Sequence, residues 1–323
     1  MRAILVTQTH ALEIGDAPRP VLGPHDLRIA VRATAVNRAD LLQRAGRYPP
    51  PPGASHVLGL ECAGVVAETG AEVRGWKVGD RAMALLAGGG YAEEVVVDAG
   101  SAMHVPDALS DEEAAALPEV FLTAFLNLFL LARLGAGETV LIHGGGSGVG
   151  TAGTTLAKLA GARVLVTAGS PEKCERCVAH GADVAIDYRE EDFVAKARGA
   201  NVILDHIGAR YLPRDLEALA MDGRIVIIGS MGGERDAQVD VMKLLGKRAQ
   251  IIGSTLRARS VKDKAAIVDA FLERFGADLD AGRIRPVIHT VLPLERADEA
   301  HDLMESSEHF GKIVLRVDPS LSS

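Results

Sequence analysis

Between residues 139 and 150 the chain reads Thr139-Val140-Leu141-Ile142-His143-Gly144-Gly145-Gly146-Ser147-Gly148-Val149-Gly150: an apolar run that passes through five glycines and opens a helical pattern at 151–160. Glycines let a backbone turn tightly off a strand and approach a pyrophosphate closely. The free N–H groups and positive dipole end of the following helix then stabilise the phosphate charge. A glycine-rich loop alone equally describes a tight turn, but the flanking strand and helix supply the context that a nucleotide site requires.

The rest of the chain arranges itself around this loop. At 323 residues it exceeds the size at which one core stops growing, so two domains are expected. Residues 1–120 carry short strands separated by Gly and Pro, at 3–7, 27–35, 62–69, 81–86 and 91–98, the spacing of a β-rich domain. From about 121 apolar strands alternate with helical stretches, at 139–143, 163–167, 183–187, 202–205, 224–229 and 250–253. That rhythm predicts an α/β, doubly wound parallel sheet. A helix at 262–281, a strand at 287–292, a helix at 294–306 and a strand at 312–317 follow. With the parallel sheet already complete, this tail is expected to return to the first domain, giving segments 1–120, 121–258 and 259–323.

Composition narrows the partners. A formal charge of −8 argues against a nucleic-acid surface. No uncharged run approaches the length of a membrane span, and the apolar start Met1–Val6 is too short for a signal peptide, so no membrane is expected and the expected location is cytoplasmic. Cys62, Cys174 and Cys177 are too few for a disulfide framework. Cys174-x-x-Cys177 with His180 offers at most three metal ligands on one helix and no second pair, so helix packing is the expected role. Small molecules, or another copy of the chain, remain as partners.

The second strand of the nucleotide domain decides the cofactor. An NAD site places Asp or Glu about twenty residues after the glycines to hold the ribose 2′-hydroxyl. Here the chain has Thr167-Ala168-Gly169-Ser170, with no carboxylate to repel a 2′-phosphate. Ser170 can donate a hydrogen bond, Lys173 adds a positive charge, and Tyr188 with Arg189 follows the third strand. The plainer reading of Lys173 and Arg189 is that of solvated surface charges. The missing acid favours NADPH.

Over essentially its whole length the chain resembles the quinone oxidoreductase branch of the medium-chain dehydrogenase/reductase superfamily. The resemblance is carried by residues 37–53, which read Asn-Arg-Ala-Asp-Leu-Leu-Gln-Arg-Ala-Gly-Arg-Tyr-Pro-Pro-Pro-Pro-Gly, by Val57-Leu58-Gly59-Leu60-Glu61, by residues 143–150 and by Thr167-Ala168-Gly169-Ser170. Within that branch it is similar to the damage-inducible, zeta-crystallin-like NADPH quinone oxidoreductases. The resemblance implies a GroES-like β-rich catalytic domain and a Rossmann cofactor domain. It also implies a homodimer or homotetramer, pairing through the last strand of the nucleotide sheet, whose edge would otherwise lie exposed. Ser147 departs from the pattern of the zinc alcohol dehydrogenases, where this position is glycine, and can itself hydrogen-bond a phosphate oxygen.

The same resemblance shows what is replaced. In zinc-dependent relatives the position matching Asn37 is a cysteine ligand and that matching Leu60 a histidine ligand; neither residue here supplies a thiolate or imidazole. The lobe that holds structural zinc has no counterpart, because Ala87-Gly88-Gly89-Gly90-Tyr91 runs straight into the next strand. A quinone needs little Lewis-acid help, since its reduced oxygen delocalises charge, and the implied reaction depends on proximity between nicotinamide C4 and an acceptor held in the interdomain cleft. Tyr48 and Asn37 are the implied catalytic residues, donors to the acceptor oxygen. Tyr48 is either that donor or a gate packed on Pro49–Pro52, and Asn37 is either a donor or a cap on a helix at 39–45.

Cofactor contacts implied by the match are Thr123, Gly146, Ser147, Gly148, Val149, Gly150, Gly169, Ser170, Lys173, Tyr188, Ile207, Gly229, Ser230, Met231, Ser254, Thr255 and Leu256. Thr123 has the alternative of bonding its own helix backbone. His143 and His206 are expected to be structural, and Glu61 to pair with a buried arginine. The function implied is NADPH-dependent, zinc-independent reduction of a quinone or conjugated carbonyl. The alternatives are an NADPH reservoir or sensor with little turnover, and a zinc-free enoyl or alkenal reductase.

Overall fold

The short apolar runs of the first hundred residues form seven strands: β1 (Arg2–Val6), β2 (Leu12–Asp16), β3 (Asp26–Ala35), β4 (Glu61–Thr69), β5 (Arg81–Leu85), β6 (Glu94–Asp98) and β7 (Ala102–His104). Six more follow in the middle of the chain: β8 (Thr139–Ile142), β9 (Arg163–Ala168), β10 (Val184–Asp187), β11 (Ala200–Asp205), β12 (Leu219–Ile227) and β13 (Gln250–Gly253). The chain then supplies β14 (Ile288–Pro293) and β15 (Lys312–Arg316). The computed structural model describes residues 1–317, so residues 318–323 of the expected third segment lie outside the described residues. Two units result, Met1–Leu122 together with the chain from Leu256 onward, and Thr123–Thr255.

In the first unit, β1 and β2 pair as an antiparallel hairpin, and the remaining strands form a seven-stranded sheet in the order β14-β15-β3-β4-β5-β7. β3 is long enough to pair with two partners on one side: β6 through Asp26–Ala30 and β15 through Ala33–Ala35. The returning segment is thereby built into the sheet of the first. Its core is formed by Leu27, Ile29, Val31, Cys62, Val66, Ala82, Ala84, Ile313 and Leu315, alternate positions along β3, β4, β5 and β15 that share one face.

In the second unit all six strands are parallel, in the order β10-β9-β8-β11-β12-β13. Val140, Leu141 and Ile142 of β8 and Val164, Leu165 and Val166 of β9 are all buried, the continuous apolar run of strands covered on both faces. Strand order reverses beside β8, so the loop leaving its C-terminal end sits at the switch point where such sheets bind ligands. The helix after β8 spans Gly148–Leu159 and is capped by Ser147. The helix after β9 spans Pro171–His180, with Ser170 as its cap and proline in the first turn.

Several boundaries differ from the sequence reading for identifiable reasons. The strand expected at 91–98 begins only at Glu94, because Tyr91 is wholly buried and its hydroxyl bonds Nε2 of His301 at 3.1 Å. β12 begins at Leu219, with a register break opposite Ala200 and Val202. Neither β2 nor the three-residue β7 was expected. After the helix Pro118–Phe125 the chain continues as a π-helix, Leu126–Leu131. No helix among the described residues is long and apolar enough to cross a membrane.

The end of that π-helix is tied to the parallel sheet by Arg224. Its Nε donates to the Ala132 carbonyl at 2.6 Å, its Nη2 to the Arg133 carbonyl at 3.0 Å, and its two terminal nitrogens to both oxygens of Glu138. Those bonds hold the Glu138 carboxyl below the usual glutamate range. Replacing Arg224→Met will leave two carbonyls unmatched and the Glu138 carboxylate without its cation, held only by the Gly135 N–H at 2.8 Å. The expected cost is about 2–4 kcal/mol, because Glu138 keeps some water contact, read as a lower midpoint in urea.

Candidate functional site

The loop after β8 is shaped by two glycines that no other residue could replace. Gly144 has φ of +65°, and an added Cβ would lie 2.3 Å from the His206 ring; at Gly150 it would lie 2.3 Å from the Gly144 carbonyl oxygen. Ser147 Oγ accepts the Gly150 N–H at 3.0 Å, which leaves its hydroxyl hydrogen to donate elsewhere. Beneath the loop His143 is fully buried, with Nε2 2.9 Å from Asp215 Oδ1 and Nδ1 3.1 Å from Thr167 Oγ1. The Thr167 oxygen also accepts the Gly144 N–H at 3.2 Å, which ties the ring to the start of the loop. His143 therefore braces the glycine loop and carries no chemistry.

Beside the loop lies the turn that follows β9. Ser170 Oγ accepts the Lys173 N–H at 3.2 Å, again leaving a hydroxyl hydrogen over. Tyr188 crosses the turn closely: a Cβ at Gly169 would sit 2.6 Å from its hydroxyl oxygen. Burial, followed by the charges of Arg176 and Arg189, holds the Lys173 ammonium below the usual lysine range. Lys173 thus feels two further cations, while Gly169 and Ser170 at the tip of the turn carry no carboxylate and Glu172 follows in the first turn of the helix. Arg176 escaped the sequence reading, although its place one helical turn after Lys173 is a signal that was there to be read.

The two cysteines of the same helix are not reactive. Burial pushes the Cys177 thiol up to about 12, with Cys174 adding to it, and a Cβ at Gly145 would come within 3.0 Å of its sulfur. Burial and then Asp187 and Glu191 raise Cys174 as well. Both are biased toward the protonated thiol, the less nucleophilic form. Among the described residues no three His, Cys, Asp or Glu side chains are grouped to hold a metal ion.

At the ends of β11 and β12 a cavity of about 260 Å³ is lined by Gly208, Leu212, Ile227, Gly229, Ser230 and Arg235, among others. Asp205 shapes its floor by accepting the N–H groups of Ile207 at 2.6 Å and Gly208 at 3.0 Å. Burial, with Asp215 nearby, pushes its carboxyl up to about 6. Ile207 and Met231 are held by backbone bonds, the Ile207 carbonyl accepting from Gly232 and the Met231 N–H donating to His206. Ser230 Oγ donates to the Glu234 carbonyl at 3.0 Å. Ser254, at the end of β13, buries a hydroxyl oxygen that has no partner in the protein. The glycine cradle, the unspent hydrogens of Ser147 and Ser170, the three cations and the orphaned Ser254 oxygen suit a phosphorylated dinucleotide. Thr123 and Thr255 are the first and last residues of this unit, and Leu256 opens the returning segment.

The first unit holds a second constellation. Glu61 is fully buried, and its Oε1 accepts from Lys312 Nζ at 2.8 Å and from Asn37 Nδ2 at 2.9 Å, while Oε2 accepts the backbone N–H of Glu119 at 2.9 Å. Lys312 also donates to the Val36 carbonyl at 3.0 Å and to Asn37 Oδ1 at 2.7 Å. Glu61 thus pairs with a lysine where an arginine was expected. Asn37 spends its other amide hydrogen on the Ala35 carbonyl at 3.2 Å, so neither hydrogen is left for a ligand. It stands at the N-terminus of the helix Arg38–Arg44 and locks Glu61 and Lys312 together, which corrects its expected part as a donor. Asp40, on that helix, accepts the N–H groups of Asn37 and Gly59, and burial pushes it up to about 6. Leu60 is buried and apolar. Half-buried Tyr48 lies under Arg257, whose guanidinium carbon is 5.2 Å from the ring centroid, and burial raises its phenol above the usual range.

Known proteins carry the same combination. Residues 23–107 match the family described as alcohol dehydrogenase GroES-like domain, and residues 180–315 that described as zinc-binding dehydrogenase. The quinone oxidoreductase of Rattus norvegicus is 32% identical over 98% of this chain and 97% of its own length. The chain belongs to the medium-chain dehydrogenase/reductase superfamily. Its fold pairs a GroES-like β domain with a Rossmann-like NAD(P)-binding domain. Among solved structures, an NAD-dependent alcohol dehydrogenase is 34% identical with TM-score 0.85, covering 98% of this chain and 100% of its own. A mycobacterial protein complexed with NADPH is 28% identical with TM-score 0.84, covering 98% and 100%. Members of this fold therefore take either nicotinamide, and residues rather than fold decide between them.

The buried ion pair gives a direct test. Lys312→Met will strand the Glu61 carboxylate and cost about 3–5 kcal/mol, measured by denaturant unfolding. Adding Glu61→Gln to that variant will recover part of the loss, since the stranded charge is then gone.

Proposed function

We propose that this oxidoreductase is a zinc-independent, NADPH-dependent quinone oxidoreductase. The observation that carries the cofactor choice is that Gly169 and Ser170, at the end of β9, hold no carboxylate where an NAD site would have one, with Lys173 in the electrostatic reach of Arg176 and Arg189 and opposed by Glu172. Bound NADPH supplies a hydride from nicotinamide C4. The loop 144–150 and the hydroxyl of Ser147 hold its pyrophosphate; Ser170, the three cations and Tyr188 hold the 2′-phosphate. Thr123, Ile207, Gly229, Ser230, Met231, Ser254, Thr255 and Leu256 serve its ribose and carboxamide.

The acceptor needs no metal in this reading, because charge arriving on a quinone oxygen spreads over the ring. Asn37 and Leu60 stand where the resemblance puts zinc ligands, and neither offers a charged donor. Tyr48 donates a hydrogen bond to the oxygen as charge builds; its raised pKa keeps the phenol protonated across the neutral range. A homodimer pairing along β13 fits the exposed Val241, Met242 and Leu245 on the helix just before that edge strand.

A steady-state screen of quinones and alkenals, each with NADPH and NADH, tests the proposal. Saturable quinone reduction with a preference for NADPH is expected. Faster turnover of alkenals would replace the acceptor, a preference for NADH would overturn the cofactor assignment, and NADPH binding without consumption would leave a reservoir or sensor. Lys173→Glu will weaken NADPH by roughly 10- to 100-fold, the worth of one charge-assisted bond, and NADH much less. Equal losses for both cofactors would remove Lys173 from the 2′-phosphate site.

A further inference from the structure

Five cationic side chains are buried among the described residues: Arg28, Arg224, Arg257, Lys264 and Lys312. Burying a charge is costly unless the protein supplies hydrogen-bond partners for it. Four of the five have them. Arg28 holds Glu68, Arg224 holds Glu138 and Lys312 holds Glu61. Arg257 has no carboxylate, yet it donates to the carbonyls of Ala87 at 2.9 Å and Tyr48 at 3.4 Å and to the Gln43 side chain. Lys264 is the exception: it is 6% exposed, and its Nζ makes no hydrogen bond or ion pair with any described residue.

The helix that carries it explains the burial. Lys264 stands at the head of the buried stripe of the helix Val261–Asp280, in step with Val268, Phe271 and Phe275. A lysine ordinarily covers apolar surface with its stem and keeps its ammonium in water. This helix is pressed too closely for that, since a Cβ added at Gly100 would lie 2.7 Å from the Ala265 Cβ. Burial accordingly holds the Lys264 ammonium below the usual lysine range.

Two charges lie within its electrostatic reach, Glu119 and Arg257. Glu119 is not within ion-pair distance, and its own Oε2 is buried without a hydrogen-bond partner. Burial, then the charge of Glu61, pushes the Glu119 carboxyl up to about 8, so in the neutral range it is not the counter-ion of Lys264. Arg257 repels Lys264 and connects it to the acceptor side of the unit, because its guanidinium carbon lies 5.2 Å from the Tyr48 ring centroid. The first unit thus holds a buried ammonium whose three hydrogens and whose charge are all unanswered within the protein.

We propose that Lys264 is an anion-binding residue, and that its ammonium takes a carboxylate or sulfonate oxygen carried by the acceptor. That the anion belongs to the acceptor rests on the reductase reading; that Lys264 binds an anion does not. An acidic substituent supplies the missing counter-charge and the missing hydrogen-bond acceptor together, in a place where little water competes. Acidic acceptors are therefore favoured over neutral ones of the same ring. A free carboxylate ion offers the same chemistry, and the test separates the two sources.

Binding is measured on the full chain by titration calorimetry with 2-naphthoate, neutral 2-naphthylmethanol and acetate, in wild type, Lys264→Met and Lys264→Arg. Wild type will bind naphthoate roughly 10- to 100-fold more tightly than the neutral alcohol, the worth of one charge-assisted hydrogen bond. Lys264→Met will lose that preference and Lys264→Arg will keep part of it. With a sulfonated naphthoquinone as substrate, the loss in Lys264→Met will appear mainly as a raised KM, and the unsubstituted naphthoquinone will lose less. Stability gives a separate readout. Removing an ammonium that has no partner relieves its burial, so Lys264→Met will have a higher Tm than wild type without ligand.

Equal affinity for naphthoate and the alcohol in wild type, or an undiminished preference in Lys264→Met, overturns the anion site. A lower Tm in Lys264→Met, or its failure to fold, overturns the unpartnered ammonium. Acetate binding as tight as naphthoate, and lost in Lys264→Met, overturns the acceptor as the source and leaves a free anion. Absence of turnover with every quinone defeats the reductase reading alone, since the calorimetric arm still decides whether Lys264 binds an anion.

Discussion

The first unit is organised around one ammonium group. Lys312 enters from β15, the last strand of the chain, and meets Glu61 from β4, Asn37 at the start of the helix Arg38–Arg44 and the Val36 carbonyl. Taking a lysine and a glutamate out of water costs several kcal/mol for each ion, and only full hydrogen bonding recovers it. Here every donor hydrogen on Lys312 is matched, and both oxygens of Glu61 are occupied. The pair brings together segments more than two hundred residues apart, so it specifies where the returning strand must lie. Hydrophobic burial along β3, β4 and β15 tolerates exchange among Val, Ile and Leu; a buried charge tolerates only its own partner.

Legibility in the sequence follows from the range of the forces involved. The six parallel strands were readable because each is a continuous apolar run, and β13 is found at 250–253 as expected. The glycine loop was readable because its geometry is local: Gly144 and Gly150 are constrained by residues within the same motif or at the adjoining strand end. β2 and β7 were not, since strands of five and three residues with mixed burial present no period long enough to detect. The π-helix after Phe125 was equally hidden, because an apolar stretch such as Leu126–Leu131 carries no mark of where its hydrogen bonds shift by one residue.

Site residues divide along the same line. Ser147 and Ser170 could be placed by their cap positions, and the missing acid after β9 by its spacing from the loop. The partner of Glu61 could not be named from sequence, as nothing local distinguishes Lys312 from any other lysine. Asn37 shows the sharper failure. Its position beside Glu61 was legible, yet its role turned on which groups would claim its two amide hydrogens, a question settled only by the fold. Glu119 went unremarked for a related reason: an acid in the first turn of a helix is ordinarily a dipole-stabilised surface charge. Only the tertiary structure reveals that its Oε2 is buried without a hydrogen-bond partner and that its backbone N–H is bonded to Glu61.

The same cluster also decides what Lys312 is able to do. A cation at this position would neutralise neighbouring carboxylates and polarise an acceptor oxygen at once. Lys312 performs the first task and is barred from the second, because its hydrogens are exhausted within the protein. Asp40 and Glu119 lie within electrostatic reach of it together with Lys264 and Arg257, so the acids of this unit are balanced by several cations and not by Lys312 alone. An acceptor oxygen in this unit would therefore take its hydrogen bond from a donor other than Lys312 or Asn37, since the hydrogens of both are spent on protein groups.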